Sequence, residues 1–285
     1  MTNTSAKVAT LWRYPVKSMM GEELNGAEIT GHGLLGDRAY ALVDVETGKV
    51  ISAKNPKKWP DFFACRAAFT APISTKDGLH PIWITLPDGT ILRSDRSDVN
   101  EKLSQHLGHK VELKTKSPKE AQLEQYWPEY DGEANEISNE AVAGDAAQGT
   151  FFDYSPFHLL TTSSLEAMQR HYPQGRFEAR RFRPNMMVDT SGQEGFVENA
   201  WVGKTLKIGS SLRLQITDPC PRCVMPTLAQ GDLPQDNGIF KNGIAKNKPM
   251  VPFAGKELPS VGVYARILTS GWVKKGDSIV VEGES

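Results

Sequence analysis

The sequence predicts an α+β fold that is rich in β-strand, and three observations carry this prediction. Short segments in which apolar and polar residues alternate recur through the first 115 residues. Only two stretches have the apolar spacing of a helix. Short apolar segments return in the last third of the chain, separated by glycines that permit turns. Many short strands with regular turns are typical of a barrel or a strongly curved sheet.

The predicted strands fall into an N-terminal and a C-terminal group. The N-terminal strands are predicted over residues 7–14, 39–45, 49–52, 82–86 and 90–93. Turns at 46–48 and 87–89, each of which contains a glycine, join the last four of these strands into two hairpins. The C-terminal strands are predicted over 205–208, 212–216 and 278–280.

The two predicted helices have recognisable start and stop residues. The first spans 97–107, carries an apolar residue at every fourth position and stops at Gly108. The second begins at a capping box formed by Ser163 and Glu166, and Pro173 terminates it. Its apolar stripe, which we expect to pack in the core, consists of Leu165, Met168 and Tyr172.

An acidic segment separates the two groups of strands. Residues 120–150 contain eight aspartates and glutamates and no lysine or arginine. We interpret this segment as a domain boundary or a long surface excursion, and we divide the chain into domains over 1–120 and 121–285. Two interpretations of its charge stay open: a solvated acidic loop, and a docking surface for a basic redox partner.

Composition excludes several classes of protein. The 285 residues carry 33 basic and 34 acidic side chains, so the chain lacks the positive field of a nucleic-acid-binding protein. It has no apolar run of membrane-spanning length and no secretory signal, so we expect a cytoplasmic protein without a membrane anchor. Three cysteines argue against a disulfide framework and cannot hold a four-cysteine iron–sulfur cluster.

The run Cys220, Pro221, Arg222 and Cys223 is the most informative motif. It could be half of a structural zinc site, but no second cysteine or histidine pair completes four ligands. It could be a thioredoxin-like dithiol, although Pro226 favours extended chain over the helix that such a dithiol opens. It could supply one soft thiolate to a metal that prefers sulfur, with Arg222 favouring ionisation. Two buried structural cysteines are an equal alternative.

Basic residues recur where acidic partners are scarce, namely at Lys17, Arg38, Lys54, Lys57, Lys58, Arg180, Arg181 and Arg183. Most charge runs are solvated faces of a protein. Three arginines within four positions are nevertheless typical of phosphate binding, because the guanidinium fork matches phosphate oxygens. We therefore expect a phosphate-bearing ligand. The six histidines lack metal-ligand spacing, and we predict no role for them.

Six segments of the chain match a known family in that family's order. They are LWRYPVKS at 11–18, GDRAYALVD at 36–44, DYSPFHLL at 153–160, RFRPN at 181–185, PCPRC at 219–223 and GWVKKGDSIVV at 271–281. Together these segments span nearly the whole chain. The chain therefore resembles the MOSC proteins, and within them it is most similar to the amidoxime-reducing branch. The resemblance implies an N-terminal mixed β/α domain followed by a C-terminal MOSC domain with a β-barrel-like fold.

The resemblance also implies a molybdenum-molybdopterin cofactor, in which the pterin carries a terminal phosphate. By the match of PCPRC, Cys223 would ligate the metal and Cys220 would not. The family's cofactor-holding positions correspond in this chain to Lys17, Ser18, Arg38, Ser155, Thr161, Arg183, Asn185 and Arg222. Lysine and arginine supply the charge-assisted donors that a dianionic phosphate needs.

The resemblance finally implies an activity, which is the reduction of small N-hydroxylated compounds such as amidoximes and hydroxylamines. A separate flavoprotein, heme protein or iron–sulfur protein would supply the electrons, and we expect a monomer. Asp153, in the DYSP match, is the predicted proton donor. Two other functions stay open: a non-catalytic carrier or sulfur-transfer protein for the cofactor, and a metal-free thiol oxidoreductase that uses Cys220 and Cys223.

Overall fold

The computed structural model describes residues 6–127, 137–190 and 192–282. The strands are β1 (Ala6–Arg13), β2 (Glu22–Leu24), β3 (Gly26–Thr30), β4 (Gly33–Leu34), β5 (Ala41–Asp44), β6 (Arg66–Phe69), β7 (Ile82–Thr85), β8 (Ile91–Arg93), β9 (Val111–Lys114), β10 (Gln122–Tyr126), β11 (Ile137–Ala141), β12 (Phe157–Thr161), β13 (Met186–Asp189), β14 (Thr205–Ile208), β15 (Leu212–Pro221), β16 (Met250–Val251), β17 (Lys256–Glu257), β18 (Ser260–Thr269), β19 (Gly271–Lys274) and β20 (Ser278–Glu282). The α-helices are α1 (Val99–Leu107), α2 (Thr162–His171) and α3 (Ala179–Phe182).

Seven strands close into a barrel to which both ends of the chain contribute. Their order is β13, β12, β18, β15, β14, β20 and β1, and β1 pairs with β13 to close the ring. The pairing of β12 with β13 is parallel, and the other pairings in the ring are antiparallel. The predicted β-rich α+β fold with a C-terminal barrel is therefore confirmed. Because β1 belongs to the ring, the barrel is not built from residues 121–285 alone.

The barrel and the N-terminal region have separate apolar cores. Aliphatic side chains fill the barrel, and Leu206, Leu214 and Val263 among them are completely buried. The N-terminal core lies under α1, the β6-β7-β8 sheet and the β5-β9 ladder, with Phe62 and Ile84 inside it. The site described below is lined by residues from both regions.

Local sequence signals predicted several elements correctly. The strand β1 and the hairpin of β7 and β8 form as expected, with Gly89 at φ 87° in the turn. The helix α1 ends at Gly108, whose φ of 69° lies in the left-handed region that favours glycine. The apolar stripe of α2 packs in a buried cluster, as predicted.

One prediction about local structure is only partly confirmed and another is wrong. Residues 49–51 turn back along β5 as expected: the Asp44 N–H donates to the carbonyl of Lys49 and the Ile51 N–H donates to the carbonyl of Leu42, both at 2.9 Å. This pairing is limited to the bridge between Val43 and Val50, and the longer partner strand of β5 is the distant β9. The capping box of α2 is wrong: the chain leaves β12 at Thr161, whose hydroxyl accepts from the Ser164 N–H at 3.2 Å and caps the helix.

The acidic segment is partly folded. Its residues 122–126 and 137–141 are the strands β10 and β11, which form a hairpin whose Leu123 packs against the N-terminal residues Val43 and Val50. Glu129, Asp131, Glu133 and Glu136 lie outside the described residues. The docking surface predicted on them therefore stays a prediction. In the described part of the chain, no helix is both long and apolar enough to cross a membrane.

Candidate cofactor site

A cavity of about 100 Å³ is lined by the N-terminal region and the barrel. Its walls contain nine of the ten predicted site residues: Lys17, Ser18, Arg38, Asp153, Ser155, Arg183, Asn185, Arg222 and Cys223. They also contain residues that we did not predict, among them Lys54, Gln125, Trp127, Tyr154, His158, Cys220 and Tyr264. Residues more than 200 positions apart in the sequence therefore meet at one site.

Thr161 is the predicted residue that the structure does not bring to the cavity. It is completely buried, and its hydroxyl donates to the Glu198 carboxylate at 2.6 Å besides capping α2. Ser155 does line the cavity, but its hydroxyl donates to the carbonyl of Ala265 at 3.0 Å. Both hydroxyls therefore hold the fold together.

The backbone is strained at three points of the cavity wall. Ser18, Arg38 and Arg183 adopt φ of 66°, 48° and 54°, and they are three of the five non-glycine residues with positive φ in the described chain. This conformation costs a residue with a side chain of the order of 1–3 kcal/mol and is concentrated at functional sites. All three residues line the cavity, so this concentration of strained backbone indicates a binding role.

A buried network orients Arg38. Its guanidinium contacts the carboxylate of Asp37, which also accepts from the Tyr14 N–H at 2.8 Å and from Asn185 Nδ2 at 2.9 Å. The ring of Tyr14 lies 4.6 Å from the Arg38 guanidinium and 4.1 Å from that of Arg183. Asn185 thus contributes to the site by holding Asp37.

Arg183 and Arg222 are buried and incompletely hydrogen-bonded. Arg183 Nη1 donates to the carbonyl of Met19 at 2.7 Å, while its Nη2 has no partner in the described chain. Arg222 Nη2 donates to the carbonyl of Phe182 at 2.7 Å, while its Nε likewise lacks a partner there. Unsatisfied buried donors are rare in native proteins. Two of them on one cavity wall fit an anionic ligand that completes their hydrogen bonds.

Asp153 bridges two lysines. Its carboxylate contacts Lys17 Nζ and accepts from Lys54 Nζ at 3.0 Å, and Lys17 also donates to the carbonyl of Phe151 at 2.6 Å. Burial alone would raise the pKa of Asp153, but the two lysines outweigh it and lower that pKa well below its usual range. The two lysines therefore favour the ionised form of Asp153, whose side chain is 42% exposed, and its role as proton donor stays a prediction.

The two cysteines have different environments. Cys220 lies at the end of β15 and is buried, and its sulfur accepts from Arg222 Nη1 at 3.0 Å. Cys223 follows the strand, is partly exposed, and packs beside Ala53 and Met225. Neither cysteine opens an α-helix, which argues against a thioredoxin-like dithiol. No cluster of three metal-binding side chains occurs in the described chain, so a zinc site has no support there.

Two unpredicted aromatic side chains line the cavity in neutral form. Burial, and after it Arg222, lowers the pKa of His158 to about 3. Burial, and after it Cys220, raises the pKa of Tyr264 well above its usual value. Of the unpredicted residues, Lys54 lies in a basic run and His158 in the DYSPFHLL match, so both carried a sequence signal; Tyr264 carried none that we recognised.

Family models match both halves of the chain. Residues 5–122 match the MOSC N-terminal beta barrel domain, and residues 146–280 match the MOSC domain. The chain is 25% identical to mitochondrial amidoxime-reducing component 1 of Mus musculus over 97% of this chain and 82% of that protein. It is 24% identical to molybdenum cofactor sulfurase of Homo sapiens over 82% of this chain, which spans 28% of that protein.

The chain is also similar to a solved bacterial structure. The YuaD protein of Bacillus subtilis aligns over 99% of this chain and 97% of its own, with 12% sequence identity and a TM-score of 0.42.

Proposed function

The chain belongs to the MOSC proteins, with the MOSC N-terminal domain ahead of the MOSC domain, and from this premise we propose that it is a molybdenum-cofactor-dependent reductase of small N-hydroxylated compounds. Similarity to amidoxime-reducing components along almost the whole chain supports this activity over others. A separate redox protein supplies the electrons.

The observation that carries the proposal is the donor set of the cavity. Among the residues that the structure describes, five cations line it, namely Lys17, Arg38, Lys54, Arg183 and Arg222, against one carboxylate, that of Asp153. The partly exposed Cys223 thiol lies on the same wall as the unpaired N–H groups of Arg183 and Arg222. A soft sulfur ligand and phosphate-binding arginines suit a molybdenum–pterin group. In this proposal, Cys223 binds the metal and the arginines bind the phosphate.

When bound, the cofactor supplies the two electrons that cleave the N–O bond. Cleavage also consumes two protons and releases water, so the site needs a proton donor. Burial lowers the pKa of Lys17 to about 8, so its ammonium group is protonated at neutral pH. This pKa is also close enough to neutral pH for the group to release a proton. We assign proton transfer to Lys17, and we assign to Asp153 the role of positioning Lys17 and Lys54.

A second candidate function is a cofactor carrier or sulfur-transfer protein, which the similarity to molybdenum cofactor sulfurase favours. A carrier binds the pterin but does not turn over substrate. The two functions therefore differ in activity and not in cofactor content.

Turnover with a chemical electron donor separates the two functions. The protein is loaded with cofactor in a competent host and supplied with reduced viologen and an aromatic amidoxime. We expect amidine formation that Cys223→Ala abolishes and Cys220→Ala mostly retains. Asp153→Asn should alter the pH profile through Lys17 without abolishing turnover. Loaded protein that forms no amidine would favour the carrier.

A further inference from the structure

An exposed aromatic ring lies one stacking contact from the cavity. Strands β16 and β17 form a short hairpin over residues 250–257, with Phe253 in the turn between them. Phe253 is 47% exposed, and its ring stacks on that of Tyr154 with centroids 4.1 Å apart and planes 28° apart. Tyr154 lines the cavity, as does Tyr264, whose ring centroid lies 5.4 Å further on. Two rings therefore link solvent to the candidate cofactor site.

The same hairpin exposes a second large apolar side chain. Met250 is 56% exposed, while its neighbour Val251 is completely buried and anchors the hairpin. Single exposed apolar residues are common on protein surfaces. Two exposed apolar residues in one hairpin beside a cavity are better explained as a contact surface for another protein. A surface of this size is sufficient, because complexes between redox proteins have small interfaces.

The segment that carries the hairpin is rich in lysine. Residues 239–257 contain four lysines, at 241, 246, 248 and 256, and one acidic residue, Glu257. Lys246 and Lys256 are exposed, and neither forms an ion pair within the described chain. Charge complementarity steers the encounter of redox proteins, so this surface fits an acidic partner.

We propose that the 250–257 hairpin is the docking surface for the electron donor, and that the donor is a small redox protein with an acidic face around its heme or iron–sulfur cluster. The inference rests on the proposed reductase function, because a carrier needs no electron donor. It differs from docking of a basic partner on the acidic segment 120–150. The apolar side chains make the central contact, and the lysines form a charged rim.

Binding of a probe protein tests the docking surface without turnover. The probe is an acidic plant-type ferredoxin, titrated into the cofactor-loaded protein by calorimetry at low and at physiological ionic strength. The double variant K246E/K256E should weaken binding by about tenfold or more, most strongly at low salt. The matched control K76E/K110E changes the net charge equally on exposed lysines outside the hairpin and should leave binding almost unchanged. Phe253→Ser should weaken binding at both salt concentrations.

Several results would overturn the docking proposal. They are failure of the wild type to bind ferredoxin, equal losses in the two double variants, and tighter binding of a basic c-type cytochrome that K246E/K256E does not weaken. Reduced viologen provides the separate check on function, because a small molecule needs no docking surface. If K246E/K256E lowers ferredoxin-driven but not viologen-driven turnover, both proposals stand. If viologen drives no turnover while ferredoxin binding still depends on the hairpin, the reductase function fails and with it the role of the partner as electron donor, and the hairpin is left as a binding surface for an acidic protein.

Discussion

The barrel interior and the cavity wall are both buried, but their composition is opposite. The strand β15 takes part in both: Leu212, Leu214 and Ile216 point into the barrel core, and Cys220 at its end lines the cavity. These three barrel residues are apolar and completely buried. On the cavity wall, charged side chains such as Arg183 are almost as buried, on strained backbone and with incomplete hydrogen bonds. Buried charge and strained backbone destabilise the folded state, so a role in ligand binding best explains why the cavity wall has them.

The largest expected effect of a single change lies in the barrel. Leu214→Ala removes a completely buried side chain and leaves a cavity, which the surrounding barrel strands cannot move in to fill. The free energy of unfolding should therefore fall by about 3 kcal/mol. Urea denaturation of the cofactor-free protein measures this change. A loss below about 1 kcal/mol would mean that the barrel core is less tightly packed than its burial indicates.

The next largest effect is a pH dependence from the cavity wall. Burial holds the pKa of Lys17 at about 8, below its ordinary 10.5, so the folded state disfavours the charged form. Stability should therefore rise as the pH increases from about 8 to 10.5, by about 1–3 kcal/mol at most. Lys17→Met should remove this rise. The comparison is made by urea denaturation at both pH values, and parallel curves for the two proteins would contradict it.

Removing a cation from the wall should cost binding more than stability. Arg222→Met keeps much of the side-chain volume but removes a buried charge and its unpaired N–H. We expect the cofactor to dissociate about tenfold more readily, while the free energy of unfolding of the cofactor-free protein changes by less than about 1 kcal/mol. Pterin fluorescence after dialysis gives the first quantity. A large loss of stability with full cofactor retention would show instead that Arg222 stabilises the fold and does not bind the cofactor.

The smallest effect separates a structural hydroxyl from the site. Thr161→Ala removes the N-cap of α2 and should lower the free energy of unfolding by about 1 kcal/mol. Cofactor content should stay at the wild-type value, since Thr161 does not line the cavity. Loss of the cofactor without loss of stability would return Thr161 to the site.

The sequence predicted elements whose signals are local. Alternation and a turn glycine were enough for the hairpin of β7 and β8, and the apolar spacing with Gly108 was enough for α1. The longer partner of β5 could not be predicted, because β9 begins 67 positions after β5 ends and no local pattern specifies that pairing. The prediction of the N-cap of α2 failed for a related reason. The hydroxyls of Thr161 and Ser163 lie within three residues of each other, and the path of the chain out of β12 makes Thr161 the N-cap.

The site was predicted mainly through the family resemblance. Arginine clustering indicated an anion, and the resemblance supplied Cys223 and most of the wall. Lys54 was missed because a lysine in a basic run resembles a solvated one, and only the fold places it opposite Asp153. The role predicted for Asp153 stays a prediction, and the sequence could not show that two lysines about 100 or more positions away lie against its carboxylate.

Metal and pterin content test the central claim most directly. Wild type, Cys223→Ala and Cys220→Ala are expressed in a host that makes molybdenum cofactor and are analysed for molybdenum and pterin. We predict near-stoichiometric molybdenum in the wild type, little in Cys223→Ala, and retention in Cys220→Ala, because Cys220 is buried and bonded to Arg222 while Cys223 is accessible. Equal losses in both variants, or molybdenum that persists without Cys223, would contradict the assignment of Cys223 as the metal ligand.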